Sequence, residues 1–234
     1  MIDLATRATD LRELMDDPGC DLARLERTYR QFDVVNRLVS GWRRLYLDTL
    51  RPVLARSADP TLLDVGFGGG DIPRHLARWA ERDGLAVRVT AVDPDPRATV
   101  YVRGRAGGVD YLQATSADLV DAGRRFDVVV SNHLLHHLEP AGLQRLLADS
   151  ERLATRLALH NDLRRSRLAY AAYGVATRPL ARSSFVHVDG LLSLRRSYVP
   201  AELADVRPGW RVEPRRPYRL LLRWSPRPGL EVAR

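Results

Sequence analysis

The stretch Asp64-Val65-Gly66-Phe67-Gly68-Gly69-Gly70-Asp71 follows a short apolar run and precedes a helical pattern over residues 72–82. Glycines at such a strand-to-helix turn permit a tight backbone and let a ligand approach it closely. A nicotinamide- or flavin-binding loop, G-x-G-x-x-G, would need its third glycine at position 71, where the chain has an aspartate. An acid at the start of a helix also opposes the binding of a pyrophosphate there. The stretch therefore fits a dinucleotide-binding loop poorly.

Outward from this loop, apolar runs of strand length alternate with helical patterns. The runs lie at residues 61–65, 87–92, 109–114, 126–131 and 156–160, and residues 211–216 and 218–224 predict a closing antiparallel hairpin. Such alternation is typical of parallel strands joined by helices. We therefore predict an α/β fold with a doubly wound, mostly parallel, seven-stranded sheet of the Rossmann-like type.

Two further segments flank or interrupt this pattern. Residues 22–50 are predicted to be helical, with an interruption at Gly41, and residues 1–58 are expected to form a helical lid. Residues 59–234 would form the main domain. Within it, residues 163–199 read as an insertion after strand 5, with a helix around 166–177 followed by a loop. We expect these parts to fold as one compact unit.

Composition narrows the classes of function. The chain has 234 residues and a net charge of +8, and 15 of its arginines, against 6 acids, fall in residues 160–234. That basic third would attract an anionic partner, but it also fits a solvated surface. With no apolar stretch of membrane-spanning length, no secretory signal and a single cysteine, we predict a cytoplasmic protein without a cysteine-based metal site. A homodimer is left open, since dimers are the commonest assembly.

The pattern D-x-G-x-G-x-G resembles motif I of the class I S-adenosylmethionine-dependent methyltransferases. The resemblance implies that S-adenosylmethionine is the cofactor, and that Asp64, Gly66, Gly68 and Gly70 surround its methionine and ribose parts. An acidic loop suits this ligand, because it carries a sulfonium and an ammonium charge. The remaining positions assigned to the cofactor on this basis are Asp93 for the ribose hydroxyls, Asp118 for the adenine amino group, and Pro94 and Asn132.

The run Ser131-Asn132-His133-Leu134-Leu135-His136-His137-Leu138 follows the fourth predicted strand, on the side where this fold places the reactive methyl group. Transfer of a methyl group to a hydroxyl requires removal of a proton, and histidine is a suitable base near neutral pH. His136 falls where aromatic O-methyltransferases similar to the plant type carry their base, so it is the first candidate and His133 the second. A packing role for His136 stays open. No metal is required, and none is predicted.

Two local resemblances concern the acceptor. The segment from Tyr29 to Arg44 is similar to a lid segment of ubiquinone and menaquinone biosynthesis methyltransferases. The segment from His160 to Tyr198 resembles bacterial methyltransferases associated with type III polyketide synthases, which implies phenolic or quinone-like acceptors. Candidate substrate-binding residues are Tyr29, Tyr170, Tyr173 and His187, with Phe185 and Tyr198 as further aromatic positions.

These features predict a small-molecule methyltransferase of secondary metabolism that methylates a phenolic oxygen of a polyketide- or quinone-type acceptor. C-methylation of a similar ring is the alternative within the class, followed by methylation of RNA or protein. Because no nucleic-acid-binding module is visible, we do not expect nucleic acid as a partner. A non-catalytic, methyltransferase-like regulatory subunit and a nicotinamide-dependent oxidoreductase are the readings from other classes. The acceptor, the methylated atom and the role of the arginine-rich third are not fixed by the sequence.

Overall fold

The predicted alternation is present in the structure, a computed structural model that describes residues 3–105 and 107–226. Seven strands form one sheet in the order β3-β2-β1-β4-β5-β7-β6. They are β1 (Thr61–Val65), β2 (Arg88–Val92), β3 (Val109–Leu112), β4 (Phe126–Asn132), β5 (Ala154–Leu163), β6 (Arg211–Arg215) and β7 (Arg219–Trp224). The first five are parallel, and β7 pairs antiparallel with both β5 and β6. The predicted fold class and the closing hairpin are thereby confirmed.

Helices flank the sheet and cover its candidate ligand-binding edge. They are α1 (Leu22–Val39), α2 (Trp42–Leu45), α3 (Arg51–Leu54), α4 (Asp71–Arg82), α5 (Pro96–Val102), α6 (Ser116–Asp121), α7 (Pro140–Leu153), α8 (Arg167–Thr177) and α9 (Val186–Arg196). A π-helical turn, Tyr46–Leu50, joins α2 to α3. Short 3-10 turns are Leu14–Asp16, Leu135–His137, Arg178–Leu180 and Pro200–Leu203. Gly41, at φ +71°, ends the first helical segment as its sequence position predicts.

The sheet is buried on both faces, which explains the continuous apolar runs of its central strands. Leu62 and Val128 contribute to the core on one face, where α1 and α4 also pack. Leu63 and Val129 contribute to the core on the other face, together with side chains of α7. Because Leu25 of α1 lies in the same core as the strand residues, the N-terminal helices and the sheet share one hydrophobic core.

The strand order reverses between β1 and β4, which lie side by side although they are far apart in sequence. At such a switch point the loops after the two strands diverge to opposite faces and leave a crevice at the carboxyl ends. The glycine loop follows β1, and the histidine-rich run follows β4. The topology therefore brings the two segments singled out in the sequence to one crevice.

The insertion after β5 departs from the prediction at one point. The helix predicted at 166–177 is present as α8, but the residues after it, predicted as a loop, contain the eleven-residue helix α9. Three polar residues, Asp189, Ser193 and Arg196, are buried on α9 and point toward the rest of the protein. Because polar residues occupy buried positions, the apolar period that would reveal an amphipathic helix is broken. No helix of the described residues has the length and apolar character needed to cross a membrane.

Candidate active site

The glycine loop forms the floor of a cavity of about 350 Å³ at the crevice. Gly66, Gly68 and Gly70 have φ values of +78°, +50° and +68°, a region that favours glycine. A Cβ atom on Gly69 would lie 3.1 Å from Cβ of Tyr29 in α1. The loop and the helix above it are therefore packed as closely as the backbone allows, and a larger residue at position 69 would push them apart.

Three aspartates, which we call the acidic cradle, lie around this loop: Asp64 on β1, Asp71 at the start of α4 and Asp93 after β2. All three are buried, and all three line the cavity. Oδ1 of Asp64 has no hydrogen-bond partner among the described residues. Burial raises the pKa of Asp64 well above its ordinary value, and the charges of Asp71 and Asp93 raise it further. Buried carboxylates without a cationic partner favour a ligand that carries positive charge.

Asp93 holds the loop in shape while keeping the capacity to accept further hydrogen bonds. Its Oδ2 accepts from the backbone N–H of Gly68 at 2.8 Å, and its Oδ1 accepts from the N–H of Asp95 at 2.9 Å. A carboxylate offers about four lone-pair sites, so each oxygen still has one free for a ligand hydroxyl. This geometry is compatible with the predicted contact to a ribose.

On the opposite side of the crevice, Arg219 of β7 connects polar residues at the carboxyl ends of β4 and β5. It donates to Oδ1 of Asn132 at 3.0 Å, to Oδ1 of Asn161 at 3.2 Å, and to Nε2 of His133. Arginine only donates, so Nε2 of His133 accepts and the ring proton lies on Nδ1. Burial and the charge of Arg219 hold the pKa of His133 well below its ordinary value. In this arrangement His133 is a neutral hydrogen-bond donor toward its surroundings, and its Nε2 is not free to act as a base.

His136 lies between two carboxylates and is 1% exposed. Its Nδ1 donates to Oδ1 of Asp162 at 2.7 Å, and its Nε2 lies 3.3 Å from Oε1 of Glu13. Burial acts to lower the pKa of His136, but Asp162 and Glu13 outweigh it and raise the pKa to about 9. The ring of His137 contacts that of His136 at a tilt of 36°, with centroids 4.3 Å apart, and its Nδ1 donates to Asp16 at 3.1 Å. The histidine-rich run therefore presents two imidazoles that are each fixed by a carboxylate.

Glu13 and Asp16 belong to an N-terminal segment, residues 3–20, that runs over the mouth of the crevice. Arg7 in this segment donates to the carbonyl oxygens of His136 and Leu138 at 3.0 and 2.9 Å. The carboxylate of Asp189 on α9 accepts from the backbone N–H groups that follow Glu13 in sequence. The segment thus reaches the cavity through contacts to residues more than 120 positions away.

The structure brings most of the sequence-predicted site residues to this cavity. Those that line it are Asp64, Gly66, Gly68, Asp93, Pro94, Asn132, His133, His136, Tyr29 and Tyr173. Four predicted positions are not among the lining residues. Gly70 lies behind the loop, Asp118 caps α6 through Thr115, His187 bonds Thr177, and Tyr170 lies on α8. Cofactor binding by Gly70 and Asp118, and acceptor binding by Tyr170 and His187, stay predictions.

Residues that the sequence did not single out also contribute. Glu13, Asp16 and Asp189 line the cavity, and Asp162 and Arg219 support the histidines from behind. Each is a single polar residue outside the glycine and histidine motifs. The one available signal was Asp162, which follows the predicted fifth strand, 156–160, at the same edge of the sheet as the histidines.

The chain is similar in sequence and in fold to known methyltransferases. Residues 62–156 match a family described as a methyltransferase domain. The chain therefore contains a methyltransferase domain of this family. The plantazolicin methyltransferase BpumL in complex with S-adenosylhomocysteine superimposes with a TM-score of 0.65 at 12% identity, covering 92% of this chain and 93% of that one. A structure from work on echinomycin biosynthesis gives 0.52 at 21% identity, covering 77% and 80%.

Two curated relatives of this methyltransferase are named ubiquinone biosynthesis O-methyltransferase. The protein of Azorhizobium caulinodans is 37% identical over 97 residues, which cover 38% of this chain and 36% of that protein. The protein of Methylobacterium sp. is 38% identical over 82 residues, which cover 33% and 30%. The chain therefore spans about a third of the length of the curated relatives it matches.

Asp71→Asn is expected to stabilise this methyltransferase at neutral pH while weakening its affinity for the cofactor. Burial raises the pKa of Asp71 to about 6, from 3.8. The folded state therefore binds the proton more tightly than the unfolded state, and stability falls as pH rises from about 4 to about 6. With about 1.4 kcal/mol per pKa unit, the variant should gain about 3 kcal/mol at pH 7.5.

Urea unfolding at pH 4 and pH 7.5 measures this difference. The gain should be present at pH 7.5 and absent at pH 4, and Asp121→Asn, an exposed acid at the end of α6, should change stability little at either pH. The negative charge of Asp71 would attract the positively charged S-adenosylmethionine. Affinity for S-adenosylmethionine should therefore rise between pH 5 and pH 7 in the wild type, as Asp71 loses its proton. A difference in stability between variant and wild type that is the same at both pH values would show that burial does not destabilise the charged form of Asp71.

Proposed function

We propose that this protein transfers a methyl group from S-adenosylmethionine to a phenolic or quinol oxygen of a small aromatic molecule. The observation that carries the proposal is the acidic cradle, Asp64, Asp71 and Asp93, around a glycine loop that shares one cavity with His136 and Glu13. A site for a cationic ligand and the paired side chains of His136 and Glu13 therefore open onto the same space.

The residues of the cradle fit the cofactor. Its ammonium and sulfonium groups would neutralise the buried carboxylates, which have no arginine or lysine among their hydrogen-bond partners. Asp93 retains acceptor capacity for the two ribose hydroxyls, and the glycines leave room beside the backbone. When bound, S-adenosylmethionine supplies a methyl carbon already activated by the sulfonium. The protein must then align the acceptor and exclude water.

An aromatic hydroxyl compound is the acceptor that the rest of the cavity favours. The apolar and aromatic lining includes Phe32, Val35, Leu134, Tyr29 and Tyr173. Cavities for small molecules commonly combine such apolar walls with a few convergent polar groups. The polar groups here are Glu13, His136 and His137, so a hydroxyl that faces them could lose its proton as the new oxygen–carbon bond forms. The curated relatives named O-methyltransferases support oxygen as the methylated atom.

Calorimetric titration with S-adenosylmethionine, S-adenosylhomocysteine and NADH tests the first half of the proposal. We expect binding of the first two and none of NADH, whose pyrophosphate the acidic cradle would repel. Binding of NADH alone would overturn the proposal in favour of an oxidoreductase.

Incubation with S-adenosylmethionine and a panel of a catechol, an alkylresorcinol and a benzohydroquinone tests the second half. Mass spectrometry and NMR should locate the transferred methyl on an oxygen. A methyl on a ring carbon would support C-methylation instead. Cofactor binding without turnover of any acceptor would favour a non-catalytic regulatory subunit.

A further inference from the structure

Three side chains at the cavity wall direct their ligating atoms toward one point. They are Glu13, His136 and His137, and their ligating atoms all lie within 4.8 Å of one another. We call them the histidine cluster. Glu13 and His136 are 3% and 1% exposed at their side chains, whereas His137 is 24% exposed and faces the cavity.

The separations within the cluster are longer than those of short, charge-assisted hydrogen bonds. Oε1 of Glu13 lies 3.3 Å from Nε2 of His136 and 3.6 Å from Nε2 of His137. Hydrogen bonds between imidazolium and carboxylate are shorter, about 2.7–2.9 Å. The same oxygen already accepts from the hydroxyl of Ser193 at 2.7 Å. Ligands held 2.0–2.1 Å from a tetrahedral ion lie roughly 3.3–3.4 Å apart, which is close to the observed separations.

In both rings the nitrogen that faces away from Glu13, Nδ1, is hydrogen-bonded to a carboxylate, as in many metal sites. Nδ1 of His136 donates to Asp162, and Nδ1 of His137 donates to Asp16, at 2.7 and 3.1 Å. A carboxylate behind a ligating histidine fixes its tautomer and directs the other nitrogen, here Nε2, at the ion. An ion would displace the proton that His136 carries on Nε2 toward Glu13. Both imidazoles would then keep their proton on Nδ1, on the side away from Glu13, and offer a lone pair toward the shared point.

We propose that Glu13, His136 and His137 bind a divalent transition-metal ion, with Zn²⁺ as the best match. Two imidazole nitrogens and one carboxylate oxygen are a ligand set that zinc uses in sites with an open fourth position. Asp162 and Asp16 orient the two rings. The inference is independent of the sequence-based expectation that no metal is needed, because it depends on Glu13, which the chain brings to the histidines from more than 120 residues away.

The open position would face the cavity that contains the acidic cradle. An ion there would lower the pKa of a hydroxyl that contacts it, which would help an acceptor lose its proton. This consequence, unlike the metal site itself, rests on the proposed function.

The test is titration of the full-length protein, after dialysis against a chelator, with ZnCl₂ by calorimetry and with CoCl₂ by visible absorption. We expect one Zn²⁺ per chain with a dissociation constant of about a micromolar or lower, and the absorption of four-coordinate Co²⁺. His137→Gln should weaken Zn²⁺ binding at least tenfold, on the scale seen when metal sites lose supporting groups. His137 is partly exposed, so this variant should fold; circular dichroism checks that it does.

His187→Gln is the matched control, since His187 bonds Thr177 and does not line the cavity. It should bind Zn²⁺ like the wild type. Absence of micromolar Zn²⁺ binding by the wild type, or equal binding by the His137→Gln and His187→Gln variants, would overturn the proposal and leave the cluster as an ion-pair network. Titration of the same metal-free samples with S-adenosylhomocysteine separates the two proposals. If that ligand binds and Zn²⁺ does not, the metal site fails while the proposed function stands.

Discussion

Asp93→Ala is expected to weaken the binding of S-adenosylhomocysteine by about tenfold to a hundredfold. The variant removes the acceptor proposed for the ribose hydroxyls, and it also frees the N–H of Gly68, which Asp93 holds at 2.8 Å. A hydrogen bond to a charged group contributes about 1.5–3 kcal/mol, and each 1.4 kcal/mol is a factor of ten in affinity. Calorimetric titration of the wild type and the variant measures the loss.

Asp93→Asn separates the two contributions, because an amide oxygen can still accept from Gly68 but lacks the charge and the second acceptor. Its affinity should fall between those of the wild type and Asp93→Ala. Asp110→Ala, an exposed acid on β3 away from this cavity, should bind like the wild type. Unchanged affinity in Asp93→Ala would move the cofactor site away from the end of β2.

The second large effect is expected for His136→Gln, with a rate of methyl transfer lower by about 10²-fold or more, the usual range for loss of an acid–base group. His136 joins the buried Asp162 to Glu13 at the cavity wall. Glutamine removes both ring nitrogens, so neither direct proton transfer nor metal-assisted deprotonation can use this position. The prediction rests on the proposed function and is measured by single-turnover kinetics with the best acceptor of the panel.

Affinity for S-adenosylhomocysteine separates two roles of His136. If His136 only held the site together, its loss would weaken this affinity as well as the rate. The affinity should stay near the wild-type value in His136→Gln, because the acidic cradle is formed by other elements. Since the variant leaves Asp162 buried without its partner, stability should fall by about 3–5 kcal/mol. Glu13→Gln, of nearly equal size, is the second variant if His136→Gln does not fold. Asp110→Ala, which changes an exposed acid outside this cavity, is again the control, and a near-normal rate in His136→Gln would make His136 a packing residue.

Local sequence was sufficient for the fold of this protein. The runs Leu62-Leu63 and Val128-Val129-Val130 are buried on both faces of the sheet, and such runs are read directly from adjacent residues. The turn at Gly66 and Gly68 could also be predicted from the sequence, because a positive φ at a strand-to-helix turn favours glycine whatever surrounds it. The helix α9 could not be predicted from the sequence, because its buried Asp189 and Ser193 interrupt the helical spacing of apolar residues.

The state of each histidine was decided by tertiary structure. The residues next to His133 and His136 in sequence do not distinguish the two histidines. In the structure, Nε2 of His133 accepts from Arg219, whereas His136 contacts Asp162 and Glu13. These partners come from β7, β5 and the N-terminal segment, and their polar groups act on the imidazoles only across a few ångströms of buried space. Motif spacing thus determined the cofactor class and the location of the site. The protonation, hydrogen bonding and metal-binding capacity of its residues depend on long-range contacts, which no local pattern encodes.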